Sequence, residues 1–213
     1  MKEIEKRHQR PRAGIVSSIG SPNGAWRTLA EQKVETGWVR AARAGDRAAF
    51  SHLVDAYWDR IRGWLFALVH QAQGAEDLTQ EVFLKVWLAL PTLEDDGSFR
   101  PWLFRIARNL ALDEKKRPHP SHEEVAADSL LSREPGPLTV LLDREMAQAL
   151  REACQRLPAT YREAYLLWAT ERMSFRDLAD VLSITEVNAR WRVCMARRFL
   201  VTELHPLLEV PKR

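Results

Sequence analysis

The sequence predicts an all-α protein, two small helical domains joined by a flexible linker, the second domain carrying a helix-turn-helix. Three observations point there. Apolar residues recur every three or four positions along most of the chain, no useful length alternates with period two, and prolines gather in one segment past the middle.

Residues 1–35 show no periodicity, and GIVSSIGSPNG within them is loop-like, so a mobile, mildly basic arm is expected there. Periodicity then starts. Ala49/Phe50, Leu53/Val54, Tyr57/Trp58, Ile61, Trp64/Leu65 and Leu68/Val69 follow helical spacing, with Asp46 placed to cap the helix they form. A second helix is predicted over about 75–90, its apolar side formed by Leu78, Val82, Phe83, Val86, Trp87 and Leu90. After the turn PTLEDDG, Ser98 is placed to cap a third helix reaching about 117, with Phe99, Trp102, Leu103, Ile106, Ala107 and Leu110 inward. The segment 118–138 holds Pro118, Pro120, Pro135 and Pro137, and its four acidic residues face the single Arg133, which is linker composition. Helical periodicity returns at about 139. The expected layout is therefore helical domains over 36–117 and 139–206, with a short tail at 207–213.

Composition narrows the function. The 213 residues are 46% hydrophobic and 29% charged, enough to bury real cores, with a formal net charge of +3. A pI near 9.0 on so small a net charge implies clustered basic patches, for which nucleic acid is the first partner to consider. Cys154 and Cys194 form no disulfide framework and no zinc pattern, which suits a reducing cytoplasm. No apolar run is long enough to insert in a membrane, and the basic start lacks a signal-peptide core. HPSH at 119–122 fits a linker turn better than a metal pair. No nucleophile–base set, phosphate-cradling glycine loop or carboxylate cleft is present, so no catalytic residue, metal or cofactor is expected.

Two constellations carry chemistry. The stretch SFRPWLFRIARNLALDEKKR places six Lys or Arg against Asp113 and Glu114, and its inward stripe leaves Arg105, Arg108, Asn109, Leu112, Asp113 and Lys116 on the other face. Such a face suits phosphates, and Asn109 can also meet a base edge. The stretch MSFRDLADVLSITEVNARWRVCMARRF reads as a short helix capped by Ser174, a tight SIT connection, and a basic helix. Leu178, Ala179 and Leu182 face inward, and Arg190, Arg192, Arg197 and Arg198 decorate the second helix, the layout of a helix-turn-helix.

AEDLTQEVFLKVW followed by FRPWLFRIARNLALDEKKR resembles domain two of a bacterial sigma factor, and LPATYREAYLLWATERMSFRDLADVLSI through MARRFL resembles domain four. With only these two domains, the chain resembles the extracytoplasmic-function group of the sigma-70 family. The resemblance implies that Asp77, Gln80 and Glu81 dock on core RNA polymerase. Glu76 and Asp77 would also favour a helix N-terminus, by about 0.3–1 kcal/mol each, whereas Gln80 and Glu81 lie past the first turn. It further implies that Arg100, Arg105, Arg108, Asn109, Asp113, Lys116 and Arg117 meet the −10 promoter element, with Trp102 assigned to the core by its spacing. Ser174, Arg176, Asn188, Arg190, Trp191, Arg192 and Arg197 would meet the −35 element.

The sequence departs from its family in the second domain. Ser183 stands at the usual turn glycine, Val187-Asn188 at the usual Gly-Thr pair, Trp191 at a small polar position, and Met195 at a basic one. Trp191, between two arginines, is placed either to meet a thymine methyl or to brace the helix. The implied partners are bacterial core RNA polymerase, promoter DNA and an anti-sigma factor, in the cytoplasm and without membrane insertion. Two other readings remain open at the level of sequence. One is a stand-alone helix-turn-helix regulator, and the other a sigma-like protein whose altered domain four mainly binds a protein regulator.

Overall fold

The computed structural model describes residues 29–116 and 137–208, with side chains described from 32 to 116 and from 146 to 205. Within them the chain forms helices α1 (Leu29–Arg43), α2 (Arg47–Val69), α3 (Ala72–Ala89), α4 (Phe99–Lys116), α5 (Pro137–Arg156), α6 (Ala159–Ala169), α7 (Phe175–Leu182) and α8 (Glu186–Leu208). No strand occurs among the described residues, so the all-α expectation holds. Residues 1–28, the linker 117–136 with its HPSH stretch, and the tail from 209 lie outside the described residues.

The first half is built as its spacing dictates. Asp46 caps α2, its Oδ1 accepting from the Ala48 amide at 2.8 Å and the Ala49 amide at 3.2 Å. The α2 face of Ala49, Leu53, Tyr57, Ile61, Trp64 and Leu65 is buried. It meets Leu78, Val82, Phe83 and Val86 of α3 and Leu103, Phe104 and Ala107 of α4 in one core. Helix α1 begins inside the stretch expected to be an arm. Its Val39 and Ala42 are buried, and its Glu35 carboxylate accepts the Tyr57 hydroxyl at 2.6 Å. At its other end Arg43 and Arg40 donate to Asp96 at 2.6 and 3.1 Å, tying α1 to the turn before α4. Ser98 does not do what its spacing predicts: its hydroxyl donates to the Asp95 carbonyl at 2.7 Å, stabilising a 3-10 turn that runs directly into α4.

In the second half, Ser174 caps α7 by accepting the Asp177 amide at 3.1 Å. Ser183 then takes the left-handed conformation at φ 53° and ψ 48°, its amide bonded to the Ala179 carbonyl, and the chain turns into α8. Ala153 of α5 and Leu157 just after it pack with Ala196 and Leu200 of α8 as a small second core.

The two halves are not separate bodies in this structure. Helix α7 lies along α4, and Leu167, Leu178, Val181 and Leu182 join the same apolar cluster as Leu103 and Phe104. Polar links cross the seam as well, among them these. Arg108 on α4 donates to Glu163 on α6 at 2.6 Å, Arg60 on α2 pairs with Glu171, and Arg162 on α6 donates to the Ala67 carbonyl at 3.2 Å. Burial alone would lower the Arg60 guanidinium, but Glu171 and Tyr57 outweigh it and hold it above its ordinary value.

Ser183 generates a prediction. A β-carbon in the left-handed region is strained, and glycine removes the strain while gaining unfolded-state freedom. Ser183→Gly should therefore raise stability by about 0.5–1 kcal/mol, read as a thermal midpoint roughly 2–3 °C higher. An unchanged or lower midpoint would mean that local hydrogen bonds already relieve the turn.

Candidate functional site

Three surfaces hold the residues the sequence singles out. The first is the outer face of α3. Glu76, Asp77 and Gln80 are exposed and Glu81 is half-buried, while Leu78, Val82 and Val86 on the opposite face fill the core. Asp77 accepts the Gln73 side-chain amide at 3.0 Å, and Glu81 pairs with Lys85 at 3.2 Å in an exposed contact of small worth. Because α3 starts at Ala72, no acidic residue falls in its first turn. Glu76 and Asp77 are therefore too far along to serve the helix dipole, and that explanation of their presence is removed.

Sequence reasoning missed the apolar part of this face. Leu84 and Leu88 are 66% and 78% exposed, and they continue the row of Asp77 and Glu81 at helical spacing. The signal was in the sequence: two leucines stood on the acidic row instead of the core row. Acidic and amide groups followed by two bare leucines form a surface fitted to a partner helix with cationic and apolar groups.

The second surface is on α4. Arg105, Asn109, Leu112, Asp113 and Lys116 are exposed as their spacing predicts, and Arg100 is half-buried. Lys116 pairs with Asp113 at 2.9 Å, both largely in water, so the pair yields readily to a phosphate. Trp102 is half-buried with its ring 6.1 Å from Phe99, packed against the core as expected. Arg117 lies outside the described residues. Arg108 departs from expectation. Its side chain is 16% exposed and its Nε donates to Glu163, itself 10% exposed, so in this arrangement it closes the seam and does not face solvent. Local periodicity could not foresee a partner contributed by another helix.

The third surface is the helix-turn-helix. Arg176, Asn188, Arg190, Trp191 and Arg197 are exposed and Arg192 is half-exposed, whereas the Ser174 oxygen is used in capping α7. Arg190 pairs with Glu186 at 2.9 Å and lies 4.5 Å over the Phe175 ring. Arg192 donates through Nε to Asn188 Oδ1 at 3.0 Å. Arg197 lies 5.5 Å over Trp168. Trp191 meets Tyr161 of α6 edge-on, with ring centres 5.5 Å apart. Ala189, Val193 and Ala196 are buried beneath this surface. The arrangement offers cations, amide donors and apolar groups on one helix, and it lacks a poised nucleophile. Burial pushes the Cys154 thiol up to about 11, with Arg162 offsetting only part of it. Among the described residues no cluster of His, Cys, Asp and Glu is arranged to hold a metal.

Arg108 and Arg105 separate cleanly. Arg108→Ala leaves Glu163 buried without its cation and should cost about 3 kcal/mol in chemical denaturation. Arg105→Ala, on the exposed face, should stay within about 0.5 kcal/mol of the parent. Equal stabilities for the two variants would show that the seam is not formed in solution.

The surfaces fall within regions shared with known proteins. The family profile described as Sigma-70 region 2 matches residues 53–119, and that described as Sigma-70, region 4 matches 147–200. The RNA polymerase sigma-H factor of Pseudomonas aeruginosa is 33% identical over 180 residues, covering 80% of this chain and 93% of that protein. The ECF RNA polymerase sigma factor SigW of Bacillus subtilis is 23% identical over 184 residues, covering 79% and 96%. Among solved structures, the sigma factor RpoE of Bartonella quintana, crystallised with the anti-sigma factor NepR, superposes with a TM-score of 0.61. It is 23% identical, covering 73% of this chain and 96% of that one, a likeness of fold.

Proposed function

The chain belongs to the extracytoplasmic-function group of the sigma-70 family, and from that premise we propose how its three surfaces divide the work of a promoter-specificity subunit. Such a subunit binds core RNA polymerase, recognises promoter DNA and starts transcription. Family membership makes it a non-enzymatic initiation factor, so the polymerase supplies the catalysis.

The observation that carries the division of labour is the outer face of α3. A soluble helix has no structural use for two bare leucines in line with Asp77, Gln80 and Glu81. We assign that face to core polymerase, with the acidic and amide groups setting orientation and Leu84 and Leu88 providing apolar burial of about 1.5–3 kcal/mol each. On α4, Arg100, Arg105, Asn109, Asp113, Lys116 and Arg117 are assigned to the −10 element, where cations hold the backbone and Asn109 meets a base. On α7 and α8, Arg176, Asn188, Arg190, Trp191, Arg192 and Arg197 are assigned to the −35 element. No helix of the described chain is long and apolar enough to cross a membrane, and the work assigned here is cytoplasmic. The similar fold crystallised with an anti-sigma factor supports a partner of that kind here as well.

The closed arrangement cannot be the one that reads both elements. Elements named for positions −35 and −10 lie about 25 base pairs apart, roughly 80 Å along a duplex. A compact chain of this length has a radius of gyration of only about 17 Å. Loading onto polymerase must therefore part α4 from α7 and break the Arg108–Glu163 and Arg60–Glu171 pairs. Arg108 becomes available to DNA only then.

The decisive experiment is transcription by purified protein and bacterial core polymerase on a pool of genomic fragments, where discrete starts that require this protein are expected. Glu81→Lys should weaken core binding at least a hundredfold while leaving the helical spectrum and thermal midpoint unchanged. Undiminished affinity would remove α3 from the interface. Replacing Arg190 and Arg192 by alanine should flatten the salt dependence of promoter binding by about 0.9 log unit per lost phosphate contact. An unaltered slope would mean that α8 does not lie on the DNA backbone.

A further inference from the structure

We propose that Val187 and Trp191 form an apolar reader of thymine methyl groups, set beside an Asn188–Arg192 donor pair that takes a guanine edge. The inference rests on the assignment of α8 to the −35 element and specifies which chemistry that element must carry.

The first turns of α8 divide into rows by helical spacing. Ala189 and Val193 are buried and hold the helix to α7. Val187 and Trp191, one turn apart on the outer side, are 78% and 52% exposed. Asn188 and Arg192 form the adjacent row. An apolar pair thus stands next to a polar pair at the end of the helix that enters the groove.

Trp191 is held for recognition. The edge-to-face contact with Tyr161, interplanar angle 82°, fixes one side of its ring against α6 and leaves the other toward solvent. Bracing α8 would need the ring covered, and about half of it is not. In a major groove the thymine C5-methyl is the apolar feature of the base edges, and it is what an exposed apolar side chain on a recognition helix can meet.

The polar row is equally directed. Arg192 Nε donates to Asn188 Oδ1, which engages one of that oxygen's two lone pairs and orients both side chains. The outward groups are then mainly donors, the Asn188 amide hydrogens and the terminal nitrogens of Arg192. Guanine O6 and N7 provide acceptors side by side to match them. Charge favours DNA over a protein surface here. From 186 to 198 the helix carries Arg190, Arg192, Arg197 and Arg198 against the single carboxylate of Glu186, which is already paired with Arg190.

The test uses holoenzyme, full chain with core polymerase, and a promoter fragment it selects from genomic DNA. Duplexes of that promoter are made with the −35 thymines replaced by deoxyuridine, which removes the methyl and keeps the hydrogen-bonding edge. Wild-type holoenzyme should bind the uridine duplex about fourfold more weakly per contacted methyl. The double variant Val187→Ser with Trp191→Ser should bind both duplexes alike, Trp191→Ser alone should lose part of the discrimination, and Trp191→Phe should keep it. A 7-deazaguanine in the −35 element should weaken wild type and leave Arg192→Ala indifferent. If wild type binds the uridine duplex as tightly as the thymine duplex, the inference falls and the exposed pair is a protein contact. If holoenzyme selects no fragment, the promoter-reading function falls first, and the two failures are told apart by that order.

Discussion

The geometry of the closed structure turns on an electrostatic constraint at the seam between the two halves, set beside their shared apolar cluster. Among the described residues the buried carboxylates are Glu163 and Glu171, both on the second half, and each is met by an arginine from the first half. A buried carboxylate without a cation is heavily penalised, so these two positions demand Arg108 and Arg60. Yet a seam closed by ion pairs is not the most adhesive one available. Apolar residues of similar volume would commonly hold it at least as firmly. The ion pairs stand beside an apolar contact in which Leu178 and Leu182 share a cluster with Leu103 and Phe104, so parting the halves must expose that surface as well as solvate the charges.

Helix α3 stands outside this compromise. Its inner face is committed to the first-half core, and on its outer face Glu76, Asp77, Gln80, Leu84 and Leu88 are exposed. The residues assigned here to polymerase docking are therefore presented in the closed form, while Arg108 is held in its pair with Glu163. On those assignments, the covered and uncovered faces would let the chain meet polymerase before it bridges two DNA elements.

Much of this was legible in the sequence, for physical reasons that also explain the remainder. Helices α2, α3 and α4 declare themselves because one face of each is buried along its length, and local spacing reports that directly. Asp46 and Ser174 declare themselves because a cap acts within three residues. The start of α3 was not legible, since Gln71 at its N-cap makes no side-chain bond and leaves no mark in the sequence. Helix α1 starts at Leu29, inside a stretch whose start offers little besides Leu29, Ala30 and Val34 on its apolar side, and its hold on Asp96 comes from more than fifty positions away. Arg108 was misplaced for the same reason. Periodicity put it on the outer face of α4, and that outer face turned out to have a neighbour in Glu163 of α6.

The departures in the helix-turn-helix separate scaffold from reading surface. Ser183 replaces the expected glycine, yet it occupies the left-handed conformation and its amide closes α7 onto Ala179, so the turn keeps its geometry despite the strain. Beneath α8, Ala189, Val193, Ala196 and Leu200 remain small or apolar and buried, and the angle at which α8 leaves α7 is set by them. Val187, Asn188, Trp191 and Met195 lie off that buried row. Changing them alters what the helix presents without altering how it is held. A recognition helix that had lost its role would be free to lose its scaffold too. Here the buried row holds α8 in place while the outward positions carry a half-exposed aromatic and an oriented Asn188–Arg192 pair. That combination is expected of a reading surface with an altered target rather than of a helix that has lost its role.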